Sequence, residues 1–301
     1  MITPTREKQL KSWSGEGTLT SLPVSMLKHI LSIPSVTYRE ERMRDYIIRF
    51  AKARKIGFST DWIGNVYLTK GDVGPGEYVP CFVNHMDTVQ DWQREYVDCE
   101  RMLAVETRKN AEGRTELYVD GCGIGGDNKA GCAIALALMD SLQKCKAVFF
   151  VQEETGLVGA QQMDYGFLSD VSLLITMDCW GRIRTASEWW KNGAKMYSQE
   201  FYDTVLKDVF DRHGVTVRDH RANTDICHLM MNCDLCCCDI SNGGYNPHRP
   251  DEYVCVEDAQ ASYALILDLC LHLDQHKACR IGEQERYGEG SYIVTPAEFF
   301  A

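Results

Sequence analysis

The chain has 301 residues, 45% hydrophobic and 25% charged, which suits a globular protein with a sizeable core. A formal net charge of −11 without a sustained basic stretch argues against nucleic acid and anionic membrane as partners. No run of about 18 apolar residues occurs and residues 1–15 lack an apolar core, so neither a membrane span nor a secretory signal is expected and the chain reads as cytoplasmic.

Apolar spacing predicts helices over 22–33 and 40–54. Residues 58–69 alternate as a strand, and 78–83 form a short buried one. Residues 102–107 and 115–119 flank Asn110-Ala111-Glu112-Gly113, a hairpin signature. An alanine-rich helix over 128–142 can lie close to a sheet. After it come a strand over 147–152, a short helix near 158–165, a strand over 171–177 and a helix over 197–213. A strand over 233–240 and an apolar helix over 256–272 complete the series. Alternating strands and helices predict a single α/β domain across 1–301, a three-layer α/β/α sandwich with a mixed central sheet. Ligands of such sheets gather at the carboxyl ends of strands.

Fourteen cysteines are many, but in a chain of this size they read as reduced, small buried hydrophobes. The run Cys233-Asp234-Leu235-Cys236-Cys237-Cys238 holds one C-x-x-C and no second pair at zinc-knuckle spacing. It is read as buried strand in preference to a metal or redox site.

Polar residues interrupt the apolar strands at five places. Residues 78–83 run into Asn84-His85-Met86-Asp87, and 115–119 lead to Gly126-Asp127-Asn128-Lys129-Ala130-Gly131. Residues 147–152 end in Glu153-Glu154, 171–177 end in Asp178, and Asn242-Gly243-Gly244-Tyr245-Asn246-Pro247-His248 follows 233–240. Each has an ordinary explanation alone: a hydrogen-bonded histidine, a helix cap, a turn, a rigid loop. Together they would place His, Asp, Glu, Asp and His at five termini for unrelated reasons. Gly121-x-Gly123-x-x-Gly126 also matches a dinucleotide fingerprint. Against that rival, Asp127 would repel a pyrophosphate at the helix N-terminus, and His85, Asp178 and His248 would have no role.

In their order along the chain these motifs resemble the co-catalytic zinc exopeptidases and deacylases, a family including peptidase T, glutamate carboxypeptidase and the aminoacylases. The likeness is greatest to the peptidase T branch, through Arg221-Ala222-Asn223-Thr224-Asp225 followed by Gly243-Gly244-Tyr245-Asn246-Pro247-His248, and it covers roughly residues 20–275. The resemblance implies two divalent ions, zinc first, with cobalt or manganese compatible with the same donors. Asp127 would bridge them, His85 and Asp178 would complete one shell, and Glu154 and His248 the other. Asp87 would steady the His85 ring. Glu153 would act as general base on a hydroxide shared by the metals. Arg221, Asn242 and Tyr245 are candidates for holding a substrate carboxylate or developing oxyanion, with a surface salt bridge an equal reading for Arg221.

The resemblance thus implies hydrolysis of short peptides by an aminopeptidase or a di- or tripeptidase. Deacylation of N-acyl amino acids is the alternative, and a metal-binding pseudoenzyme a further one. The chain departs from the family between Asp178 and Arg221, where 42 residues are too few for the usual inserted lid domain. The lid histidine is therefore expected to be missing, with His213 and His220 as candidates to replace it. Substrate class and oligomeric state stay open at this point.

Overall fold

A computed structural model describes residues 21–89, 101–189, 192–220 and 223–288, and two amphipathic helices come first among them. Helix α1 (Val24–Ser32) buries Leu27, Ile30 and Leu31, and α2 (Glu41–Arg54) buries Met43, Ile47, Phe50 and Ala51. Both sets follow the i, i+3, i+4 stripe of a helix with one apolar face. The strand expected over 58–69 is instead an antiparallel pair, β1 (Gly57–Thr60) and β2 (Val66–Lys70). Asp61 is the reason. Its Oδ1 accepts from the amides of Gly64 at 3.0 Å and Asn65 at 2.9 Å, closing a turn that competes with a straight strand.

Strand β3 (Val79–His85) is buried throughout. A hairpin of β4 (Val105–Lys109) and β5 (Thr115–Val119) follows, then α3 (Gly126–Ser141) and β6 (Cys145–Phe150). Short helix α4 (Val158–Gln161) precedes β7 (Val171–Cys179). The next strands are β8 (Arg184–Trp189) and β9 (Ala194–Lys195). The helix expected over 197–213 comes in three pieces: Gln199–Phe201, a π-turn over Tyr202–Leu206, and α5 (Lys207–His213). Strand β10 (Thr216–His220) and helix α6 (Asp225–Asn232) lead to β11 (Cys237–Ser241), shorter than the strand expected there. Strands β12 (Gly244–Tyr245) and β13 (Tyr253–Cys255) precede α7 (Val256–Cys270).

The main sheet runs β1-β2-β6-β3-β7-β11-β8-β10, with β9 beside β8. Strands β6, β3, β7 and β11 are mutually parallel and the flanking pairs β2/β6 and β11/β8 antiparallel, so the sheet is mixed. Helices α1, α3 and α7 pack together over it, while α4 and α6 pack on each other, with α6 against β3, β7 and β11. The expected α/β/α sandwich is borne out. Central strands covered on both faces read as continuous apolar runs, which made β3, β6 and β7 legible. A second, antiparallel sheet, β12-β13-β5-β4, folds over the amino end of α3. No helix among the described residues is long and apolar enough to cross a membrane. Every described cysteine is a free thiol, and Cys236, Cys237 and Cys238 are wholly buried.

One glycine sets how close α3 comes to the strand ends. A Cβ on Gly131 would lie within 2.5 Å of the Met177 carbonyl oxygen and Asn84 Oδ1, and closer still to Asn128 Oδ1. Gly131→Ala is expected to destabilise the protein by about 1–3 kcal/mol through overpacking, despite a helix propensity about 1 kcal/mol better. Urea unfolding reads the sign.

Candidate metal centre

Because β6, β3, β7 and β11 run parallel, their carboxyl ends meet on one edge of the sheet. His85 ends β3, Asp178 lies near the end of β7, and Glu153 and Glu154 follow β6. Asp127 opens α3, and His248 comes from the loop after β12. The two oxygens of Asp127 face different histidines. Its Oδ1 lies 3.1 Å from His85 Nε2, and its Oδ2 lies 3.2 Å from His248 Nε2. Asp178 Oδ1 is 3.4 Å from His85 Nε2, and Glu154 Oε1 is 3.0 Å from His248 Nε2. Three overlapping donor sets result: His85, Asp127 and Asp178; Asp127, Glu154 and His248; and His85, Glu153 and Glu154.

Residues behind the cluster fix these orientations. The His85 Nδ1–H donates to the Asp87 carbonyl oxygen at 3.1 Å, which leaves Nε2 turned toward the acids. The Asp87 carboxylate is farther from that ring, at 3.4 Å. It accepts instead from the backbone amides of Glu153 (3.0 Å) and Glu154 (3.2 Å) and from the Thr37 hydroxyl (2.9 Å). Buried Glu252 accepts from the amides of Gly125 at 2.7 Å and Asp127 at 3.0 Å. A carboxylate thus occupies the helix N-terminus that a dinucleotide pyrophosphate would need, which counts against the nucleotide reading. The buried Lys129 ammonium donates to the carbonyls of Leu31 and Ile33 and ties α3 to the end of α1.

Charge is crowded here. Burial, reinforced by Asp127, pushes Asp178 up to about 7, and burial raises Glu153 and Glu154 above the usual carboxylate range. Burial opposes protonation of both histidines, but the carboxylates win. Asp178 and Glu153 drive His85 well up, and hydrogen bonds to Asp127 and Glu154 push His248 up to about 11. The metal-free cluster therefore recruits protons to balance its acids, as it would recruit any cation. Asp178 Oδ1 is buried without a hydrogen-bond partner. An orphaned carboxylate oxygen beside the His85 imidazole and the Asp127 carboxylate is the donor chemistry a divalent ion satisfies.

Of the three residues expected to bind substrate, Asn242 and Tyr245 are described. Asn242 is buried, and its amide donates to Asn128 Oδ1 and the Met177 carbonyl while its Oδ1 accepts from Gly244. The Tyr245 hydroxyl donates to Asp258, and its ring stacks on Tyr253. Arg221 lies outside the described residues, as does the His220 side chain. His213 is paired with Asp268 at 3.0 Å. Sequence reasoning gave no role to Glu252, four residues after His248. Nor did it assign Asp225, whose fully buried oxygens have no hydrogen-bond partner. Burial raises the Asp225 carboxyl well above its ordinary value, with Asp178, Asp87 and Glu154 adding to the rise. Its one signal was a place in the Thr224-Asp225 motif.

Residues 108–199 match the family described as M42 glutamyl aminopeptidase. That stretch contains Asp127, Glu153, Glu154 and Asp178, while His85 and His248 lie outside it. No curated protein matches the sequence. Among solved structures the fold resembles aminopeptidase PepT from Bacillus cereus, with TM-score 0.67 and 13% identity over 83% of this chain and 97% of that one. It resembles a Staphylococcus aureus tripeptidase, with TM-score 0.64 and 14% identity over 82% and 96%. It also resembles the Pyrococcus horikoshii TET1 peptidase, with TM-score 0.62 and 17% identity over 83% and 99%. At these identities the likeness is one of fold. The resemblance read from the motifs is borne out, by the family match over the middle of the chain and by the fold over most of it.

Asp87→Ala would strand two buried backbone amides, each costing about 1–3 kcal/mol. The variant is expected to lose about 2–4 kcal/mol of stability, whereas Asp87→Asn keeps an acceptor and loses less. Urea unfolding of the pair checks this.

Proposed function

We propose that the chain is a metal-dependent exopeptidase that releases residues from the amino end of short peptides. The observation that carries this reading is the split of Asp127 between two histidines, each with its own further acid. One ion would be held by His85, Asp178 and Asp127, the other by His248, Glu154 and Asp127. Imidazole with carboxylate suits zinc, and also cobalt or manganese. Bound there, the ions would polarise the scissile carbonyl and lower the pKa of a water from about 16 toward 7.

The remaining work belongs to the chain. Glu153 shares the cluster with His85 and Glu154, yet among the described residues its carboxylate pairs with neither histidine. It is free to take a proton from the attacking water and return it to the leaving amine. Asp87 holds the Glu153 and Glu154 amides, so one acid can face the ligand set while its neighbour stays off it. Support for peptides as substrates comes from the aminopeptidase family match and from the aminopeptidase and tripeptidase names of the similar folds. We read one catalytic domain without a lid, since the stretch between Asp178 and Arg221 supplies β8, β9 and β10 to the main sheet. The free thiols support a reducing, cytoplasmic setting.

Glu153→Gln is expected to keep its fold and bound metal but to lose at least about 100-fold in kcat. Elemental analysis and peptide-hydrolysis assays, with and without chelator, check both. Near-normal turnover in the variant, or activity indifferent to chelation, would overturn the reading.

A further inference from the structure

Beside the acidic cluster lies its electrostatic opposite. A concavity of about 510 Å³ is lined by Arg182, Arg184 and Arg218, with His213 and Thr216 at its wall. Among the described residues none of the three guanidiniums makes an ion pair, although the chain carries 43 acidic residues against 32 basic ones. His213 is different, because Asp268 already pairs with it. Three like charges left together and unpaired in so acidic a chain repel one another, and an anion relieves that repulsion.

The arrangement is ordered by the fold. Arg184 pairs with Thr216 and Ala186 with Arg218 across the parallel β8/β10 register, so Arg184, Thr216 and Arg218 share one face. The Arg184 guanidinium stacks over the Trp180 ring at 4.2 Å, which fixes its plane and leaves its N–H edge for planar acceptors. The concavity also sits at the catalytic end of the sheet. The Arg184 amide donates to Ser241 Oγ at 3.2 Å, and Ser241 pairs with Cys179, next to Asp178. Arg182 lies four positions after Asp178, so their Cα atoms lie at most ~14 Å apart. That is the reach of a few peptide residues.

We propose that this arginine-lined concavity binds an anionic group of the substrate, a free C-terminal carboxylate or an acidic side chain, and so selects short or acidic peptides. This deepens the peptidase reading and rests on it for the word substrate. Carboxylate and guanidinium match as planar, charge-assisted partners. Arg182 and Arg218 are the residues to change, since Arg184 is also built into the Trp180 stack.

The test uses three peptides: Gly-Gly-Gly, its C-terminal amide, and C-terminally amidated Gly-Gly-Glu. Binding is measured by calorimetry on metal-loaded Glu153→Gln protein, and kcat and KM on the otherwise native enzyme, each with and without Arg182→Ala plus Arg218→Ala. We expect at least one anionic peptide to bind about tenfold or more tightly than the neutral amide. The double variant is expected to abolish that preference, raising KM for the anionic peptide with kcat, metal content and thermal unfolding unchanged. Preference for Gly-Gly-Gly assigns the terminal carboxylate, and preference for Gly-Gly-Glu amide the side chain. Equal binding of all three peptides, or a preference that survives the double variant, overturns the proposal even if the peptides are cleaved. Arginine-dependent binding without cleavage by the native enzyme would leave the concavity standing and sink the peptidase reading. If the double variant unfolds, Arg182→Gln and Arg218→Gln singly carry the same comparison.

Discussion

The site depends on one carboxylate reaching two ways. Asp127 sets Oδ1 against His85 and Oδ2 against His248, joining a ligand from the third strand to one from a loop some 160 residues later. Each histidine then faces a second acid, Asp178 or Glu154. Acids packed this closely cannot all stay charged in a buried space unless cations join them. The shifts say so directly: the imidazoles are driven to hold protons while Asp178 and the glutamates are driven to accept them. Such a cluster calls for compensating positive charge, which protons supply in part and a bound divalent ion would supply in full.

Much of the fold was legible because the central strands are apolar without a break. Val79–His85, Cys145–Phe150 and Val171–Cys179 are buried nearly end to end, and no polar alternation blurs them. Exposed or short elements without a turn signature beside them were less legible. Strand β10 reads Thr216-Val217-Arg218-Asp219-His220 and stands at the sheet edge, where its pairing comes from β8 and not from an apolar pattern. The turn at Asp61 was hidden because valine, tyrosine and leucine after it continue an alternation that a single side chain interrupts. In the site, residues that end strands could be found from sequence, since a charge after an apolar run stands out. Residues that act on backbone could not. Nothing in the letters of Asp87 distinguishes a carboxylate aimed at an imidazole from one aimed at two amides. The burial of Asn242 is likewise set by Asn128 and the Met177 carbonyl, which only the fold brings near.

The same distinction explains how a site drawn from five chain segments keeps its shape. The carboxylates of the ligand set repel one another, so their backbones are held by more than the histidines between them. Asp87 fastens the glutamate pair to the end of β3 through two amides. Glu252 fastens the Gly125–Asp127 turn to the segment that carries His248. The two anchors are themselves acids, added to a cluster already rich in them, and each accepts from two backbone N–H donors. Amide dipoles are fixed in place by the chain, whereas a proton can leave. Holding backbone with carboxylates keeps the histidines and the other acids gathered at one edge of the sheet. The arginines at the same end of the sheet, without an ion pair among the described residues, make the opposite demand within a few residues' reach. A molecule satisfying both would present positive charge to the acids and an anion to the guanidiniums, which is the charge layout of a short peptide read from its amino to its carboxyl end.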